Sequence, residues 1–74
     1  MAKKTATVPC LTSIGETAGA IWRALSKNGP MTMTKLIKDL GEQRDQVMLG
    51  LGWLARENKI DIVEDKRSRV VSLT

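Results

Sequence analysis

Residues 31–73, MTMTKLIKDLGEQRDQVMLGLGWLARENKIDIVEDKRSRVVSL, carry two hydrophobic periods in succession. Met33, Leu36, Ile37 and Leu40 fall at helical spacing, and Thr32 stands where an N-cap accepts from the first turn. Met31, just before that cap, is placed to pack on Leu36 as a hydrophobic staple. Gly41 supplies a turn. A longer helix then spans about Arg44 to Glu57, with Val47, Leu51 and Leu54 as its buried stripe, and Asn58 stops it because asparagine tolerates left-handed backbone. After Asn58 the period falls to two. Ile60 and Ile62 alternate with Asp61, and Val71 and Leu73 with Ser72, as in half-buried strands. Pairing Ile62 with Val71 and Ile60 with Leu73 puts four apolar side chains on the core face and leaves Val63 opposite Val70 outside. The hairpin loop is Asp65-Lys66-Arg67-Ser68.

Upstream, Leu11, Ile14, Ala18, Ile21 and Leu25 recur at helical spacing opposite Glu16, Arg23 and Lys27, which predicts an amphipathic helix facing the same core. Thr12 or Ser13 can cap its start, and Asn28-Gly29-Pro30 ends it. Residues 1–10 have little to bury and are expected to form a flexible tail ahead of a single domain, 11–74. The order of helix, helix, glycine turn, helix and hairpin is that of a winged helix-turn-helix domain: three helices plus a wing, with a short extended segment around Met31.

With 74 residues the chain has room for one domain of limited core, a size at which a second subunit adds stability. One cysteine, Cys10, excludes an internal disulfide, and no segment reads as a signal peptide or a membrane span, so a cytoplasmic setting without membrane association is expected. The net charge is +4, but residues 31–74 hold eight basic and seven acidic side chains. Without Lys3 and Lys4 the excess falls to +2, which is modest for a dedicated DNA binder. There is no histidine and no tyrosine, and Cys10 has no evident base. Catalysis, metal binding and a cofactor are therefore not expected.

Binding duplex DNA requires cations near phosphates and side chains aimed at base edges. Lys66, Arg67 and Arg69 at the wing tip, and Lys35 and Lys38 on the short helix, are placed for phosphates. Arg44 and Gln46 are placed for a groove. The outward side of the third helix carries Asp45, Leu49, Gly52, Trp53 and Arg56. Leu49 and Trp53, four apart, make an apolar pair where a DNA reader carries hydrogen-bonding groups. Two readings of Trp53 stand at this level. It is either covered by its own chain, or it joins Leu49 and Arg56 in contacting a second copy or another protein. Trp22 flanks the buried face of the first helix and is expected in the core, although Gly19 and Ala20 beside it would admit another helix closely.

The run Val47-Met48-Leu49-Gly50-Leu51-Gly52-Trp53-Leu54-Ala55-Arg56-Glu57-Asn58-Lys59-Ile60 resembles the recognition helix and wing entry of bacterial winged helix regulators. Val47, Gly50, Leu51, Leu54, Asn58 and Ile60 fall on the places where those proteins carry their characteristic small and apolar residues. More narrowly, Ile14-Gly15-Glu16-Thr17-Ala18-Gly19 with Ile21-Trp22, and later Leu51-Gly52-Trp53-Leu54-Ala55-Arg56-Glu57, is similar to a small prokaryotic family of stand-alone winged helix-turn-helix proteins of largely uncharacterised function. The resemblance implies the fold, and with it DNA binding in transcriptional control. The alternative is an interaction module that has given its recognition face to a protein.

Overall fold

The computed structural model describes residues 10–74, apart from the Asp65 side chain; of the expected tail over residues 1–10 only Cys10 lies within them, and it is helical. Helix α1 runs Cys10–Asn28, strand β1 Met31–Thr32, helix α2 Met33–Leu40, helix α3 Arg44–Arg56, strand β2 Ile60–Asp65 and strand β3 Ser68–Leu73. The three strands form one antiparallel sheet in the order β1-β3-β2. Three helices and this sheet are the expected winged helix-turn-helix architecture.

Each boundary has a local cause. The helix α1 stops where Gly29 turns left-handed at φ 77° and its N–H donates to the Leu25 carbonyl at 2.8 Å. Thr32 caps α2: its Oγ1 accepts from the Lys35 N–H at 3.2 Å. Removing that acceptor strands a donor in the first turn, so Thr32→Ala should destabilise the fold by ~1 kcal/mol. The check is thermal denaturation, with a melting temperature lower by roughly 4–8 °C. Gly41, at φ 68°, closes α2 and redirects the chain into α3. Asn58 takes φ 59°, and the next N–H, of Lys59, reaches back to the Leu54 carbonyl at 2.9 Å, closing α3 with a left-handed residue as expected.

The core gathers one stripe from every element: Ala18, Ile21 and Leu25 from α1, Met31 from β1, Met33 and Leu36 from α2, Val47, Leu51 and Leu54 from α3, Ile60 from β2 and Val71 from β3. Full burial of a leucine or isoleucine such as Ile21 or Leu36 is worth about 1.5–3 kcal/mol. The two long helices meet at Gly50, where a Cβ would stand 3.0 Å from Ile21 Cδ1 and 3.2 Å from the Ala18 backbone nitrogen. A side chain there requires α1 to give by a few tenths of an ångström for a Cβ, and by more for a larger group.

The hairpin register is the expected one, Ile60 with Leu73, Ile62 with Val71 and Val63 with Val70. The expected burial of all four inward residues needs correction. Val71, on the central strand β3, is sealed, whereas Ile62 remains 41% exposed although Ile60 on the same edge strand is buried. Leu11 is also corrected: it lies in line with buried Ala18 but is 66% exposed, because no described element covers that part of α1. Helix α1 already includes Cys10, so Thr12 and Ser13 lie inside it and neither is its cap; Ser13 Oγ donates to the Cys10 carbonyl. No helix among the described residues is long and apolar enough to cross a membrane.

Candidate nucleic-acid interface

The wing tip and the start of α3 converge. Ladder pairing continues to Asp65 with Ser68, leaving only Lys66 and Arg67 to turn the chain. A two-residue turn between twisted strands calls for left-handed backbone, and Lys66 adopts it at φ 37°, a strained value for a residue with a side chain. The paired strands on either side hold it there. Arg44 is the first residue of α3, delivered by the Gly41 turn and by extended Gln43.

Between these elements lies an open cleft of ≈ 260 Å³ lined by Met33, Thr34, Arg44, Glu64, Lys66, Arg67, Ser68 and Arg69. Four of its side chains are cationic and one, Glu64, is anionic. Glu64 faces Arg69 across the hairpin at 3.7 Å, and both are solvent-exposed. Such an exposed pair is weak and screened by salt. It still competes with any phosphate for Arg69, so Glu64→Gln should raise affinity for duplex DNA about threefold at low salt, read by fluorescence anisotropy.

The remaining residues singled out from the sequence are dispersed. Lys35 pairs with Asp39 one turn later at 3.6 Å, and both Lys35 and Lys38 are exposed on α2 outside the cleft. Gln46 is half-buried and turned toward α1, where its Nε2 donates to Thr17 Oγ1 at 3.3 Å. A groove contact by Gln46 would first have to break that bond. Leu49 and Trp53 are exposed by 49% and 43%, so the chain does not cover Trp53, and Arg56 is exposed in the last turn of α3. Arg56 lies twelve residues from Arg44, or ~18 Å along the helix, and does not join the cleft.

Trp22 requires a correction. It is 43% exposed instead of buried, because it stands about 100° around α1 from Ile21 and so lies at the edge of the buried stripe. It lines a groove with Gly15, Ala18, Gly19, Arg23, Trp53, Leu54 and Lys59. That angle was available in the sequence, but the large apolar side chain outweighed it. Cys10 is exposed and unbridged, and the described residues contain no group of three or more histidine, cysteine, aspartate or glutamate side chains that could hold a metal ion.

The fold and the placement of the hairpin beside α3 make this a winged helix-turn-helix protein. The family model described as "Winged helix-turn-helix domain (DUF2582)" matches residues 1–73, and the chain belongs to that family. A relative from Methanocaldococcus jannaschii, "Uncharacterized protein MJ1608", is 36% identical over 63 residues, covering 81% of this chain and 89% of the relative. The narrow family resemblance read from Ile14–Trp22 and Leu51–Glu57 is thereby borne out.

Proposed function

We propose that the protein is a non-enzymatic DNA-binding regulator of transcription, acting as a single cytoplasmic domain that holds duplex DNA between its wing and the start of α3. The observation that supports this most directly is the convergence of Arg44 with Lys66, Arg67 and Arg69 on one open cleft. Cations on two separate elements can straddle a phosphate backbone, and phosphate contacts supply most of the sequence-independent affinity. In this reading Lys35 and Lys38 contribute at long range. Gln46 contributes little, because its amide is engaged within the chain. Sequence choice is weak, since Leu49 and Gly52 offer base edges no side-chain hydrogen-bonding group and Trp53 only its indole N–H. The test is an anisotropy titration with short duplexes over a salt series. Binding should fall steeply with salt and differ little between sequences; absence of binding at low salt would rule the reading out.

A second reading is favoured by a separate observation. Trp53 and Leu49 remain exposed side by side on α3, with Arg56 nearby. Half-exposed tryptophans of this kind are common anchors of protein interfaces. On this reading the C-terminal half of α3 serves protein contact while the wing stays free. Sedimentation with and without DNA separates the two.

A further inference from the structure

The groove that holds Trp22 and Trp53 lies away from the basic cleft and encloses ≈ 420 Å³. Gly15 and Gly19 lie along the α1 side of it. Glycine inside a helix is unfavourable relative to alanine. A Cβ at Gly15 would meet nothing within 4 Å, so packing within the chain gives no reason for it. Leu11, Gly15, Trp22 and Ser26 fall within an arc of about 60° on α1, a stripe bordered on one side by Trp53, Leu54 and Lys59 and otherwise without a covering element among the described residues.

We propose that this face binds α1 of a second copy of the chain, in an antiparallel two-fold pair whose axis passes between Ala18 and Gly19. The proposal deepens the protein-contact reading by naming the partner, and moves the centre of contact from Leu49 to α1. Two complementarities meet at that one axis. Gly15 and Trp22 are equidistant from it, so each Trp22 lies over the partner subunit's Gly15, and bulk meets vacancy in both directions. Glu16 and Arg23 are also seven residues apart and share one flank of α1, about 20° apart around the helix. The same rotation brings Glu16 opposite the partner subunit's Arg23, within ~3 Å along the helix. Both side chains are exposed, and neither has an ion-pair partner among the described residues. A foreign helix would have to supply a large side chain for Gly15 and a cation for Glu16 at matching spacing; this chain already carries both. An isologous interface needs that self-matching. The wing and Arg44 stay open, so the pair presents two basic clefts.

The test is sedimentation equilibrium of the whole chain from micromolar to millimolar concentration. The wild type should form dimers. Glu16→Arg and Arg23→Glu should each weaken dimerisation at least ~10-fold by setting like charges together, and the double reversal should restore it. Gly15→Leu should leave folded monomers, since its side chain fills the place of the partner subunit's Trp22 and its Cβ meets nothing within 4 Å in its own chain. Circular dichroism confirms folding of each variant. A wild type still monomeric at millimolar concentration overturns both the inference and the homodimer form of the protein-contact reading. A dimer indifferent to all α1 variants but broken by Leu49→Glu overturns the inference alone. Single reversals that weaken the dimer without rescue by the double overturn the Glu16–Arg23 pairing and with it the axis.

Discussion

Replacing Gly50 with valine is expected to lower the melting temperature by roughly 15 °C or more, a loss above ~3 kcal/mol. At this position a Cβ would lie 3.0 Å from Thr17 Cγ2, 3.0 Å from Ile21 Cδ1 and 3.2 Å from the Ala18 nitrogen. The two side-chain atoms can yield, but the Ala18 nitrogen is part of the α1 backbone, and shifting it moves the whole helix. Gly50→Ala gains ~1 kcal/mol of helix propensity and loses about 1–3 to crowding, so its net effect is small and destabilising. Valine adds two methyl groups at a branched Cβ in the same space, with no further gain in propensity. A chain of 74 residues has roughly 4–11 kcal/mol in all, so the loss is a large share of its stability. The control is Gly52→Ala. A Cβ there meets nothing within 4 Å, and that variant should be more stable by ~0.5–1 kcal/mol. Gly50→Val melting within a few degrees of wild type would mean that α1 and α3 are not pinned at this crossing.

The opposite meanings of Gly50 and Gly52, two residues apart in one helix, mark how far the sequence could be read. Elements and their order were legible because each has a strong local cause: the Thr32 cap, left-handed Gly41 and Asn58, and the change of period at Ile60. Even the strand register followed from alternation alone. Burial at element ends was not legible. Leu11 and Ile62 follow the periodic pattern correctly, but the pattern does not say where the neighbouring element stops. Leu11 and Ile62 remain exposed by 66% and 41%, although Ala18, in line with Leu11, and Ile60, on the same strand as Ile62, are buried. Trp22 went astray for the related reason that hydrophobicity was weighed above helical angle. At the candidate site, the cations could be named from the hairpin and from the start of α3. Their convergence on one cleft depends on how the hairpin sits against the starts of α2 and α3, a tertiary arrangement with no local signature. Gln46 lies near the start of α3, where a groove contact is expected, yet its amide donates to Thr17, a residue 29 positions earlier.

Reversing the charge of Arg44 and Arg67 together is expected to reduce duplex DNA affinity by a hundredfold or more at low salt, while leaving the melting temperature within a few degrees of wild type. Both side chains are exposed and line the cleft from different elements, and neither forms an ion pair among the described residues. Each reversal removes one phosphate contact and sets a carboxylate against the backbone, so the two losses compound. The salt dependence distinguishes this account from general destabilisation. If Arg44, Lys66, Arg67 and Arg69 each neutralise one phosphate, log affinity should fall against log salt with a slope of about −3.6, and the double variant should show about −1.8. Lys35→Glu should have a smaller effect, because Asp39 already engages that lysine at 3.6 Å. Gln46→Ala should leave DNA affinity unchanged and lower stability slightly through the lost bond to Thr17. Affinity lost equally on reversing Lys35 and Lys38, with Arg44 and Arg67 indifferent, would move the binding face from the cleft to α2. A slope unchanged in the double variant would mean that these arginines do not touch phosphate at all.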